Sequence, residues 1–121
     1  MSCMSLDIKS LLSLPENKRE ETLKSIFSSL LGLQQDQVVN ALTDFLKGLQ
    51  TYANDNQYKE VCKTNLKIIS SLPDNVAKQV IAMRLQAQNN LPENMKNRDK
   101  KVLNDAINES PYKEKILKLL S

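Results

Sequence analysis

"ETLKSIFSSLLG", residues 21–32, is the stretch on which the reading of this chain turns. Its apolar residues Leu23, Ile26, Phe27, Leu30 and Leu31 recur at i, i+3, i+4, i+7 and i+8. That spacing places all five on one stripe of an α-helix and has no counterpart in a strand, where the faces alternate every second residue. Gly32 follows where a helix commonly ends in a left-handed residue, so a helix is expected from about Pro15 to Leu31.

Upstream of this helix stands "SLPEN" (13–17), and related pentads recur as "SLPDN" (71–75) and "NLPEN" (90–94). A residue before proline is driven out of the α region, as the residue preceding a helix must be. Proline loses nothing at the first helical position, where its missing N–H has no partner in any case. An acidic residue next in line meets the positive end of the helix dipole. The leucine can turn inward and fix the angle of entry. Each pentad therefore reads as a helix start, and this local chemistry outweighs a reading as a recognition motif.

The same grammar divides the remaining chain. A first segment, about 5–13, carries Leu6, Ile8, Leu11 and Leu12, with Ser5 as its expected cap. A third, about 35–53, presents Val38, Leu42, Phe45, Leu46, Leu49 and Tyr52, with Gly48 inside it as a sign of close helix packing. After the turn "ANDNQ", with Asp55 expected to cap, a fourth segment (56–70) places Tyr58, Val61, Cys62, Leu66 and Ile69 at helical spacing. The fifth (73–89) uses Val76, Val80, Ile81, Met83 and Ala87, and the sixth (92–109) Met95, Val102, Leu103, Ala106 and Ile107. The seventh opens at "SPYKEK", with Ser110 as cap and Pro111 at the first helical position, and is expected to bury Tyr112, Ile116, Leu119 and Leu120.

The expected fold is all-α: one domain over residues 1–121, a compact bundle of six to seven short helices. Connections of a few residues make successive helices antiparallel or steeply crossed neighbours. Stacked helical hairpins are the finer expectation, with a weak internal duplication in which 13–70 matches 71–121. Superposing Ser13 on Ser71 aligns Leu23 with Ile81 and Phe27 with Leu85, although any two amphipathic helix pairs with proline starts align about as well. The leucine spacing and LPEN starts are similar to those of small helical-hairpin repeat modules, and no functional residue carries over from that likeness.

Composition agrees with the class and removes much chemistry. Only 4% of the 121 residues are aromatic and two are glycine, too few for most sheet proteins. Histidine is absent, which excludes Ser-His and Cys-His nucleophilic pairs, histidine-ligated metal and a histidine pH switch. Cys3 and Cys62 have no metal-ligand spacing and make no disulfide framework, and neither phosphate-loop nor dinucleotide glycine motif occurs. No cofactor and no small-molecule ligand is indicated. No apolar run approaches a membrane span and no secretory segment opens the chain, so the expected location is cytoplasmic.

The net charge of +3 is unevenly placed. Residues 1–72 carry eight basic and eight acidic side chains, and residues 73–121 carry nine and six, so the excess lies wholly in the second part. Within it, "MKNRDKKVLN" (95–104) makes Lys96, Arg98, Lys100 and Lys101 the candidate contacts for nucleic-acid phosphate. Asp99 interrupts them and no aromatic residue stands by to stack a base. The favoured reading is a non-enzymatic helical interaction or scaffold module, binding another protein or a second copy of itself through spare apolar surface. Met83, Leu85 and Met95 are the candidate partner surface. Nucleic-acid binding through the basic second half is the alternative, and an enzyme working without histidine the third.

Overall fold

A computed structural model describes residues 8–120; the expected cap Ser5, with Leu6 and Cys3, lies outside that range. Every regular element among the described residues is an α-helix: α1 (Ile8–Ser13), α2 (Glu16–Leu30), α3 (Gln35–Tyr52), α4 (Asp55–Ser70), α5 (Asp74–Asn89), α6 (Glu93–Glu109) and α7 (Lys113–Leu120). These follow the segments expected from apolar spacing, because each segment's stripe is what the core needs from it.

The three LP joints share one geometry. Pro15, Pro73 and Pro92 have φ of −58°, −55° and −55° with ψ of 155°, 146° and 153°. Their carbonyls accept the first helical hydrogen bonds, from Arg19, Ala77 and Lys96 N–H. The leucine before each proline donates its own N–H back three residues, Leu14 to Leu11, Leu72 to Ile69 and Leu91 to Gln88. One dipeptide thus closes the outgoing helix and opens the next. Proline stands one position earlier than the sequence suggests: it is the cap itself, and Glu16, Asp74 and Glu93 are the first helical residues. Proline's fixed φ is compatible with the extended backbone a cap requires, and no side-chain cap bond is made at these starts. Leu91 is buried, and Leu14 and Leu72 pack against the core as expected. Since all three joints are alike, the match between 13–17 and 71–75 follows from joint chemistry and needs no duplication to explain it.

Other ends depart from expectation in instructive ways. Gly32 does not enter the left-handed region; α2 ends through Leu31 and Gly32 N–H groups bonding back to Phe27 and Ser29 carbonyls, a tightened last turn that any residue could make. Asn54, not Asp55, caps α4: its Oδ1 accepts from Gln57 N–H at 2.8 Å while the Gln57 side chain accepts from Asn54 N–H at 3.0 Å. This reciprocal box satisfies two otherwise orphaned donors and frees Asp55 for another task. Ser110 caps a turn before α7, accepting from Tyr112 N–H at 3.0 Å, so Pro111 and Tyr112 precede the helix.

Successive helices touch only narrowly, and the broad contacts are between helices two apart in sequence: α3 with α5 and α4 with α6 above all. A single core runs through the bundle from Ile8 and Leu11 on α1 to Ile116 and Leu119 on α7. Gly48 makes one close approach possible, since a Cβ there would lie 2.7 Å from Ile8 Cγ1. Four residues expected on apolar faces, Leu31, Tyr52, Tyr112 and Leu120, are instead solvent-exposed.

Candidate functional site

The most buried charge in the molecule comes from the segment that reads as its most basic surface. Asp99 is fully buried among the helices packed on α6. It occupies the apolar stripe of that helix, four residues after Met95 and three before Val102. A lone carboxylate there is intolerable without partners, and four donor groups arrive. Arg84 on α5 forks onto it, Nη1 to Oδ2 at 2.7 Å and Nη2 to Oδ1 at 2.8 Å. Gln88, one turn along the same face of α5, donates Nε2 to Oδ2 at 2.8 Å. Tyr58 on α4 donates its hydroxyl to Oδ1. Gln50 on α3 donates Nε2 both to the Tyr58 oxygen at 3.2 Å and to the Met95 carbonyl at 2.9 Å. α4 and α5 thus converge on one carboxylate of α6, and α3 joins the group through Tyr58.

The electrostatics follow from that geometry. Burial pushes the Asp99 carboxyl upward, but the Arg84 bond and charge, with Tyr58 and Gln88, outweigh it and hold it below the ordinary range. Burial works equally against the Arg84 cation, and Asp99 again outweighs it, keeping the guanidinium ionised. Tyr58 is driven far above the usual phenol value, first by burial and then by the Asp99 charge. Cys62, buried one turn along α4, has its thiol pushed up to about 11 by burial, against the opposing pull of Arg84. The cysteine is thus a small core residue, far from a reactive thiolate at neutral pH.

Arg98, the neighbour of Asp99, points the other way and closes a corner. Its Nη1 donates to the Gln50 carbonyl at 3.0 Å and its Nη2 to the Ala53 carbonyl at 2.8 Å, satisfying the C-terminal end of α3. Nε reaches Asp55 Oδ1 at 3.0 Å, and the guanidinium lies 5.2 Å from the Tyr58 ring centroid. Of the other candidate phosphate contacts, Lys96 pairs with Glu93 at 3.7 Å and Lys101 with Asp105 at 3.7 Å, while Lys100 is exposed. The four do not form one patch of free cations.

Nor do Met83, Leu85 and Met95 form an open surface. All three are half-buried and packed against the core. Among the described residues, the large exposed apolar side chains are Leu31 and Leu33 at the α2–α3 turn, Tyr52, Tyr112 just before α7, and Leu117 and Leu120 on it. On α7, Ile116 and Leu119 face the core, while Leu117 and Leu120, 47% and 41% exposed, form an i, i+3 pair on the outside. Lys113 precedes Leu117 by one turn and Lys118 follows it. Lys115 ties the helix down by donating its Nζ to the Ser70 carbonyl at the end of α4, where the helix dipole favours a cation.

A small cleft of about 40 Å³ opens beside the Asp99 group, lined by Phe27, Leu42, Phe45 and Leu103 with Cys62, Asn65 and Arg84. Among the described residues, no three Cys, Asp or Glu side chains stand together as a metal site, and no helix is long and apolar enough to cross a membrane.

Sequence reasoning overlooked the Asp99 assembly although a signal existed. A charge at a core-stripe position of one helix, with an arginine at the equivalent position of another (Arg84, between Ile81 and Ala87), marks a buried pair. In comparisons with known proteins no family model matches the chain, and no curated protein or solved structure matches it significantly.

Proposed function

We propose that this chain is a non-enzymatic helical interaction module that docks another protein on the outward face of α7. The observation that carries this reading is an apolar arc on α7 that is wider than the core covers. An ordinary surface helix keeps one apolar stripe for the core and covers the rest with polar groups. Here Ile116 and Leu119 satisfy the core, yet Leu117 and Leu120 extend the apolar arc into solvent. Lys113 and Glu114, one turn ahead of Leu117, border it with charge of the kind that fixes the orientation of a partner.

The interior supports the same reading. Its strongest polar chemistry is spent on itself: both Asp99 oxygens hold two donors each, and Tyr58 and Arg84 are held in place by that carboxylate. Nothing in this group is poised as a nucleophile or general base, whose pKa would need to stand near the working pH. Arg98, Lys96 and Lys101 already have acidic partners, which weighs against the nucleic-acid alternative.

The experiment is affinity capture from source-cell lysate, with and without nuclease, using the intact chain and a Leu117→Asp/Leu120→Asp double variant. A specific protein retained by the intact chain, lost by the variant and indifferent to nuclease is the expected result. Retention that disappears with nuclease would transfer the case to nucleic acid. Circular dichroism of the variant must match the intact chain, which is expected since both leucines face solvent. Light scattering of the two proteins decides whether the partner is a second copy.

A further inference from the structure

We propose that the buried Asp99 group is a pairing key: it selects which helix lies against α6, and adds little stability beyond what apolar residues would supply in its place. Apolar burial is non-directional and grows with area, so it discriminates poorly between helices of like length and pattern. This chain holds such a pair. α2 and α5 run for 15 and 16 residues, and both start from a Leu-Pro joint of the same backbone geometry. With Pro15 laid on Pro73, Leu23 falls on Ile81 and Phe27 on Leu85. Apolar packing alone would therefore accept α2 in the place of α5, from the same chain or from a second one.

The polar group breaks that likeness. In the same alignment Arg84 and Gln88 are matched by Ile26 and Leu30, whose side chains have no donor. Arg84 and Gln88 supply three of the hydrogen bonds that Asp99 receives. With α2 in that position the carboxylate would keep the Tyr58 hydroxyl and lose its only cation. A buried charge stripped of its partner is strongly disfavoured, whereas exchanging a whole buried ion pair for apolar residues of similar volume is often neutral or stabilising. What the polar residues add is thus discrimination, as a single buried polar residue fixes the register of a coiled coil.

The test removes the whole group at once. One variant takes the α2 residues, Arg84→Ile and Gln88→Leu, with Asp99→Val and Tyr58→Phe. A second fills the core differently, with Arg84→Met and Asp99→Leu beside the same changes at 58 and 88. In both, Gln50 keeps the Met95 carbonyl as its acceptor. Each is compared with the intact chain by urea unfolding, amide correlation spectra and light scattering. The expected result is an unfolding midpoint equal to or above that of the intact chain, together with lost uniqueness. That loss reads as more than one set of amide signals, or as a new dimer fraction in which two chains exchange helices. A single set of amide signals at the intact chain's mass would show that apolar packing already selects the pairing, and would overturn the proposal. So would a lowered midpoint or outright unfolding in both variants, which would make the group a source of stability and not of choice.

Discussion

Asp99 and Glu109 lie on the same helix, ten residues apart, and each carboxylate is met by side chains from α4. Asp99 takes Tyr58 from that helix, with Arg84 and Gln88 from α5. Glu109 takes Lys59 at 2.9 Å and Lys63 at 3.6 Å. The two differ in solvent: Asp99 is fully buried, whereas nearly half of the Glu109 side chain is exposed. Water can replace a lost partner at Glu109 and cannot at Asp99. The lesson is that the seam between α4 and α6 is fastened by strong, obligatory contacts at one end and by replaceable ones at the other.

The largest effect is expected from cutting the buried end. Asp99→Ala strands the Arg84 cation, the Tyr58 hydroxyl and the Gln88 amide in the core, and breaking a buried pair on one side costs about 3–5 kcal/mol. Urea unfolding should show a midpoint lowered accordingly with little change in slope. A loss under about 1 kcal/mol would mean that water reaches Arg84, and the distinction between the two ends would collapse. Tyr58→Phe is the milder cut. It removes one donor from Asp99 and the acceptor of Gln50, and is expected to cost about 1–3 kcal/mol.

The pH profile sharpens the comparison without a mutation. Asp99 is held below its unfolded value of about 3.9, so its contribution is fully present above that value and is lost as pH falls through the lower folded one. On the alkaline side the signs reverse. Cys62 and Tyr58 are both raised, so their contributions hold below their unfolded values of roughly 8.5 and 10 and are lost above them, Cys62 first on the way to about 11. Thermal midpoints should therefore form a plateau between about pH 5 and 8, with an alkaline decline beginning near 9. Cys62→Ser keeps the shape but removes a titrating thiol, and should delay that decline. If the decline begins at the same pH in both proteins, Cys62 does not drive it.

How far the chain itself discloses these two ends depends on the period of its apolar residues. Seven helices were legible because each carries a stripe, and Pro15, Pro73 and Pro92 mark three of the starts. The stripe also hid what mattered most. Asp99 stands within "NRDKK", where four surrounding polar residues invite a reading as solvated surface, and only its spacing from Met95 and Val102 places it inside. Arg98 was equally opaque as a clamp on α3, since its acceptors are backbone carbonyls 45 and 48 residues away. Long-range partners of a charge leave no local mark. The exposure of Leu117 and Leu120 was hidden for a related reason: in "KILKLL" four apolar residues spread over one broad arc, and the core's choice of Ile116 and Leu119 depends on what α7 packs against.

The smallest effect belongs to the exposed end. Lys59 and Lys63 hold the Glu109 carboxyl below its ordinary value, chiefly through the Lys59 hydrogen bond. Glu109→Gln keeps the shape and a hydrogen-bonding oxygen, and it leaves two lysines that water can hydrate in place. Stability at low salt should fall only slightly, within the range usual for exposed ion pairs. Raising the salt to about 1 M, where the screening length shrinks to roughly 3 Å, should erase even that difference. The same salt should leave the effect of Asp99→Ala nearly intact, because no ion enters the buried pair. Unfolding midpoints for both variants at low and high salt provide the measurement. A Glu109→Gln difference that survives high salt would show that this end, too, is closed to water, and that the seam is fastened alike along its whole length.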